Sequence, residues 1–515
     1  MTDPVELYQQ LAAEHPAKFN PNLAMALSNL SLRLSNLGHR EEALKEIERA
    51  VTLRRRLTAE YPAKFIPNLA ISLGTLSSHL SDLGRREDAL EVIKETVKLY
   101  RQLAADHPTK FIPELALALN ELSCCLSNLG YREAALDVIK EAVELYRQLA
   151  ADCPAAFIPG LAMSLSSLSI MLCNLGHRED ALGAIEQTVT LRRRLAADCP
   201  AAFIPMLGVS LNNFAEILSN LGRRETALVI IQESVELYRQ LVSDHPLAFN
   251  PHLAMSLHNL SACLSKLGHK GEALETVVEA IMIRRQLAGD CPAAFVPGLA
   301  ASLHGHSLYL SDLARPEEAL GAAKEAVELQ RRLAVDHPAV FVQGLALSLN
   351  QFARCLSDLG RQDKALVPIE EAVGLFWKLH TDCPTAFNPD LAMVLNTHSV
   401  CLSKSHRHKE ALDVIGEAVR MRRQLAATCP AAFVPDLAMS LHHLSTCLSN
   451  LGHKNEALAA FEEAISLQRP LTVVCSAAFS PGLAQFLGHL STCLTNLDRK
   501  AEAVEASRAT AGHIC

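Results

Sequence analysis

The chain has 515 residues, a net charge of -8 with histidine neutral, 49% apolar residues and only 5% aromatic ones. So mild an acidic balance provides no basic surface for nucleic acid or anionic lipid, and it leaves the packing to Ala and Leu. Met1 to Pro16 has no basic stretch leading into an apolar one, and runs such as Leu161 to Leu175 are interrupted by Ser and Asn, so neither a secretory leader nor a membrane span is expected and the expected compartment is the cytoplasm.

In chain order, the first element is a partial one. Val5 to Glu14 aligns with Val51 to Glu60, with Asp3 and Pro4 as cap and first turn. Residues 1–15 therefore read as half a repeat. From Phe19 onward a Phe returns every 46 residues, through Phe65, Phe111 and so on to Phe479. A Pro stands three residues before each, from Pro16 to Pro430, and Ser476 replaces it in the last copy. A period of this length marks an array whose units bury their apolar faces on their neighbours. The expected organisation is one solenoid over 1–515, with eleven copies across 16–515, in place of several globular domains.

Within the first full copy, Pro21 is expected to open a helix at its first position, where a missing N–H is harmless. Leu23, Leu27, Leu30 and Leu34 then lay one apolar stripe. Gly38 ends this helix A, of about 17 residues or about 26 Å. Helix B runs from about Arg40 to Glu60, and Pro62 stops it. Below, a register is the number that a position carries in this first copy. Registers 23, 27 and 34 are Leu in all eleven copies, register 43 is Ala in all eleven, and register 31 is Ser or Ala. The small residues let paired helices approach closely.

Later copies change at identifiable places. Ala314 stands where the turn Gly belongs, Gln343 replaces the helix-opening Pro, Ser405-His406 replaces Leu-Gly, and Pro368 falls inside helix B. Trp377 is the only Trp. Irregularity is expected to concentrate around 306–408, as a bend or binding centre or as relaxed repeats. The chain stops inside a helix B, at Ala503 to Cys515, and neither end carries a polar capping helix, which suggests a segment of a longer protein.

Of fifteen cysteines, twelve obey the repeat. Six precede the linker position (Cys153, Cys199, Cys291, Cys383, Cys429, Cys475) and six share register 33 (Cys125, Cys263, Cys355, Cys401, Cys447, Cys493). Equivalent points on adjacent repeats lie roughly 10 Å apart, beyond the roughly 7 Å between Cα atoms that a disulfide spans. Reduced cysteines acting as small hydrophobes are expected. No histidine pair has helical metal spacing, and no phosphate loop, nucleophile elbow or paired His-Glu motif is present. The chain reads as non-catalytic, with no cofactor, metal or small-molecule substrate.

Leu27, Leu30, Ser31, Leu34, Gly38, Ala43, Ile47 and Ala50 match the spacing of the tetratricopeptide repeat, with Leu for its first Trp and Ser for the Gly after the next Leu. Leu211-Asn212-Asn213-Phe214-Ala215 resembles the kinesin-light-chain type, and the long unit is similar to arrays of fungal and bacterial signalling proteins. The resemblance implies an all-α, right-handed superhelix (an α-solenoid) of about eleven helix-turn-helix repeats. It also implies a concave surface lined by A helices that binds a peptide or partner segment. A second implied role is a regulatory, autoinhibitory arm of a larger signalling NTPase or protease-like protein.

Carried onto this sequence, the resemblance puts registers 28, 29, 32 and 36 in the groove. The candidate binding residues are Asn29, Asn120, Asn212, Asn213, His258, Asn259, His304, Asn350, Asn396, His442 and His443. An amide offers both donor and acceptor, so an Asn row could hold a peptide backbone of any sequence. The plain alternative is a solvated polar face. Few cations reach the groove (Lys266, Arg354, Lys404), unlike the carboxylate clamp of chaperone-binding relatives. The Arg clusters late in helix B, such as Arg54-Arg55-Arg56 and Arg192-Arg193-Arg194, are expected on an outer face, paired within their helix. His258, His304 and His442 share a register and leave a pH-sensitive groove open. Protein or peptide partners are expected, without nucleic acid or membrane.

Overall fold

In the computed structural model the protein is built from helices, and the described residues are 4–290, 292–336, 338–382, 384–428 and 430–474. The eleventh copy, with Phe479, Ser476, Cys475, Cys493 and Ala503, lies outside them, as do Cys291, Cys383 and Cys429. After a first short helix, Pro4–Glu14, A and B helices alternate from Pro16–Asn36 and Arg40–Glu60 to Pro430–Asn450 and Lys454–Val474. Among the described residues there are ten A–B pairs, each helix holding 21 residues. Two compact units divide the chain: Met1–Met171 with His337–Val340, and Leu172–Asp336 with Phe341–Cys515.

Helix A starts five residues earlier than Pro21 suggests. Pro16 is its first residue, and Phe19 and Pro21 both lie inside it. The His15 carbonyl accepts the N–H groups of Lys18 and Phe19, both at 3.2 Å, which anchors the first turn. Pro16 leaves unmade a bond that the first turn could not form anyway. Pro21 sits one turn further in and removes only one ladder bond. The Pro-x-x-Phe motif is therefore the first turn of helix A, and the joint from B to A shrinks to one non-helical residue, such as Tyr61 at φ -136° and ψ 73°.

The turn from A to B behaves as the sequence indicates. Gly38 has φ +85°, in the region that a Cβ disfavours. Ala314 and His406 occupy the same register and keep the same hand, at φ 56° and 61°. The divergent stretch around 306–408 has no irregular helix lengths among its described residues, and helix B of repeat 8 runs through Pro368 from Gln362 to Asp382.

The Leu and Ala registers form the core. Leu27, Leu73, Leu119, Leu165 and Leu211 are almost fully buried, as are Ala43, Ala89, Ala135, Ala181 and Ala227. Register 31 contributes a hydrogen bond as well as small size. Ser31, Ser77 and Ser399 donate to the carbonyls of Ala43, Ala89 and Ala411 on the paired B helix, at 2.9, 3.0 and 2.8 Å. Two A helices, Pro154–Asn174 and Pro200–Asn220, are long and apolar enough to cross a membrane by length and composition. The Ser and Asn within them are too mild to lower their hydropathy, contrary to the sequence expectation.

Candidate functional site

Register 28 does not stand open on a surface. Asn120, Asn212, Asn350, Asn396 and His442 are buried, and His258 and His304 are half-buried. The helical repeat angle aims this register at the neighbouring A helix. Asn212, 1% exposed, donates to Ser256 Oγ of the next repeat at 2.9 Å and accepts from Asn259 Nδ2 at 3.5 Å. Ser440 Oγ donates to Asn396 Oδ1 at 3.4 Å. These amides tie repeats together. Register 29 is more open, with Asn29 exposed and Asn213, Asn259 and His443 half-buried.

The same joint contains the Arg residues expected outside. Arg54, Arg192, Arg284 and Arg422 are buried. Each sends Nη1 to a backbone carbonyl of the following A helix (Asn68, Met206, Gly298 and Asp436, at 2.8, 2.6, 2.5 and 2.6 Å). Each also bonds the register-26 serine there: Ser72, Ser210, Ser302 or Ser440. Burial pulls Arg192 and Arg284 down to about 10, still charged at neutral pH. Registers 54 and 26 thus form a polar seam. Where register 54 is Tyr, a ring meets the same register 22 of the next A helix: Tyr146 lies against Gly160, and Tyr238 stacks on His252 with centroids 5.3 Å apart.

The outer charge pattern also differs from the expected one. Arg55, Arg101, Arg193, Arg239, Arg285, Arg331 and Arg423 pair with Glu95, Glu141, Glu233, Glu279, Glu325, Glu371 and Glu463, at 2.6 to 3.1 Å. Each pair links one B helix to the next, forty residues on, and is not a bond within a helix. Being half-exposed, each contributes about 0.2–1 kcal/mol at most. They set the spacing of the B helices more than they hold the fold.

The A helices also leave apolar side chains unburied. Register 25 reads Met25, Ile71, Leu117 and Met163 in the first unit, and Val209, Met255, Ala301, Leu347, Met393 and Met439 in the second. None of the ten is buried, and Met25 and Ile71 are 53% and 56% exposed. Register 32 continues the stripe with exposed Leu32 and Ile170. Sequence reasoning missed this row because Met and Ile read as core. The available signal was position: register 25 lies outside the Leu23, Leu27, Leu30, Leu34 stripe, yet stays apolar.

Two cavities open along these faces. One, of about 390 Å³, lies among repeats 1 to 3, beside Ile71, Gly74 and Glu121. The other, of about 470 Å³, lies among repeats 8 to 10, beside Asn350, Arg354, Asn396, Lys404 and Met439. In the second, Asn350 is 5% exposed and its Oδ1 has no hydrogen-bond partner among the described residues. The seam partners it would have used are Phe376 and Val394, both apolar. Lys404 pairs with Asp358 at 3.2 Å.

Burial disfavours the charged form of several A-helix histidines. Burial, then the charges of Arg284 and His304, lowers His258 to about 4, and burial lowers His304, His306 and His398. The register-33 cysteines Cys125, Cys263, Cys355, Cys401 and Cys447 are buried with raised thiol pKa values, as small hydrophobes should be. The joint cysteines Cys153 and Cys199 are exposed, because the joint is a single residue at the surface. Among the described residues no group of three or more His, Cys, Asp or Glu is placed to hold a metal.

Two models of the tetratricopeptide repeat match the chain, one at 23–58, 161–197 and 207–247, the other at 116–149 and 439–470. A model of anaphase-promoting complex subunit 5 matches 64–121 and 243–290. No curated protein matches. Among solved structures, BtubC (BKLC) from P. vanneervenii is similar at 18% identity and TM-score 0.40, covering 48% of this chain and 92% of that one. A putative kinesin light chain from Podosopora anserina with nearly identical TPR-like repeats is similar at 18% identity and TM-score 0.32, covering 42% and 95%. The MamA RS-1 ArsTM double mutant is similar at 19% identity and TM-score 0.27, covering 42% and 93%.

Proposed function

We propose that this chain, which is a tetratricopeptide-repeat protein, is a non-catalytic scaffold that binds an extended peptide or partner segment along the exposed face of its A helices. Repeats of this kind generally mediate protein–protein interaction, and the finer reading rests on one observation. Register 25 keeps an apolar side chain unburied in all ten described repeats, Met25 to Met439. A soluble protein does not maintain such a row without a use for it, since exposed apolar patches mark interaction sites. Methionine, at five of the ten positions, adapts its shape to different apolar partners.

Specificity on this reading comes from the polar groups beside the row. Asn350 Oδ1, buried and unpartnered among the described residues, supports this reading as an acceptor for a peptide N–H in the second cavity, while the register-28 amides at 212 and 396 are spent on the joints. Of the candidate residues, Asn29 is exposed and Asn213, His258, Asn259, His304 and His443 are half-buried, which leaves these six able to touch a ligand. The test is a labelled random peptide library presented to the full chain and to an Ile71→Glu/Leu117→Glu variant. Binding is expected to the parent chain, with a loss of about tenfold or more in the variant. Equal binding by both would remove this face from the reading.

A further inference from the structure

Repeat 2 breaks the seam. Gly74 stands at register 28, where repeats 3, 5, 8 and 9 bury an Asn. The missing side chain leaves the cavity of about 390 Å³, walled on its apolar side by Leu32, Ile71 and Leu117. Its polar side is acidic. Glu121 Oε2 lies 3.8 Å from where a Cβ on Gly74 would stand, so this carboxyl faces the vacated position. Glu114 Oε2 is buried without a hydrogen-bond partner among the described residues. Tyr100, 6% exposed, lines the same space, and among the described residues its hydroxyl has no hydrogen-bond partner.

Among the described residues no Lys or Arg lines this cavity. Its one basic group, His79, shares a 2.7 Å hydrogen bond with Ser31 and is held neutral by burial. Two carboxyl groups in a partly dry space lack a counter-charge. We propose that the cavity receives a lysine or arginine side chain of a peptide lying on the A-helix face. Its methylene stem packs on Leu32, Ile71 and Leu117, and its charged head reaches Glu114 and Glu121, with the Tyr100 hydroxyl as a further acceptor. This rests on the peptide-binding reading above and adds the charge of one recognised residue.

Acidity supports the geometry. Burial lifts Glu121 to about 7, so near neutral pH it is part protonated, and a bound cation draws it to the charged form. The other titratable groups around it are Glu114, Cys124 and Cys125 on its own helix, His79 on helix A of repeat 2, Tyr100 on helix B of repeat 2 and Tyr146 on helix B of repeat 3. Burial keeps both thiols and both phenols protonated and His79 neutral. The charge of Glu121 therefore changes between pH 6 and 8.

The experiment uses the full chain and fluorescein-labelled nonapeptide pools that differ only in the central residue, read by anisotropy. Pools with central Lys or Arg are expected to bind about tenfold tighter than those with Gln or Met at pH 8, and the preference should shrink towards pH 6. Gly74→Asn should abolish the preference. The added Cβ makes only ordinary contact and the site is helical, so this variant folds. Glu121→Gln should act in the same direction. Binding without a cation preference, or a preference that survives both substitutions, overturns this inference and leaves the scaffold reading standing. If no pool binds, both fall together.

Discussion

The contact between Tyr146 and Gly160 tests how tightly register 54 sets the distance between repeats. Gly160 lies inside helix A of repeat 4, where Ala would ordinarily stabilise by about 1 kcal/mol. A Cβ built there, however, would meet Tyr146 Cε1 at 2.4 Å, Cζ at 2.8 Å and Cδ1 at 2.9 Å. Carbon atoms prefer about 3.5–4.0 Å, so the ring must retreat by about an ångström from a buried position. Overpacking of this kind destabilises by about 1–3 kcal/mol, which offsets or exceeds the propensity gain. Gly183, with no atom within 4 Å of its built Cβ, is the control, and Gly183→Ala should stabilise. The difference between the two variants is expected to be about 1–3 kcal/mol, read from the denaturation midpoint of the full chain in guanidinium. Hydrogen exchange over 132–171 should locate the loss, since long arrays do not unfold in one step. In a Tyr146→Ala background, Gly160→Ala should no longer destabilise. If Gly160→Ala stabilises as much as Gly183→Ala, the close approach of ring and helix is wrong.

Two further outcomes follow from backbone and charge. Ala314→Gly and His406→Gly remove a side chain from the left-handed region, at φ 56° and 61°, so each should stabilise by about 1 kcal/mol, while Gly38→Ala should do the reverse; equal melting temperatures across the set would refute this. Burial holds His258 at about 4 in the fold, against about 6.5 unfolded. Between those values the unfolded state binds more protons. Stability from this group is therefore complete above about pH 6.5 and is lost as pH falls towards 4, by on the order of 3 kcal/mol. Glu121, with its raised value, acts oppositely: its contribution is lost as pH rises through about 7. The His258→Asn variant isolates the histidine part, and should melt with less dependence on pH from 7.5 to 5 than the parent. An unchanged dependence would contradict the burial.

Much of the architecture was legible because it repeats. The 46-residue spacing, the Leu stripe, the turn glycine and the small residues at registers 31 and 43 each have a local cause that sequence displays. The joint was not legible, because Pro16 and Pro21 both satisfy the rule for a first helical residue, and only the bonds to the His15 carbonyl decide between them. The burial of register 28 was not legible for a different reason. An A helix packs against its own B helix and against A helices before and after it, so polarity no longer separates inside from outside. Asn212 is buried because Ser256 across the joint satisfies it, Arg192 because Met206 and Ser210 do. Met25 and Ile71 are exposed although their chemistry resembles that of core residues. A single sequence shows the residue at each register, but not the partner that the next repeat presents.

The central claim, that the A-helix face binds peptide, is tested most directly by covalent mapping. A peptide selected from the random library, carrying one photoreactive benzophenone, would be irradiated with the full chain and the adducts located by mass spectrometry. Adducts at or beside registers 25, 29 and 32 of A helices, such as Ile71, Leu117 or Met439, are predicted. Adducts concentrated on the Arg–Glu ladder of the B helices, around Arg101 and Glu141, would contradict the account.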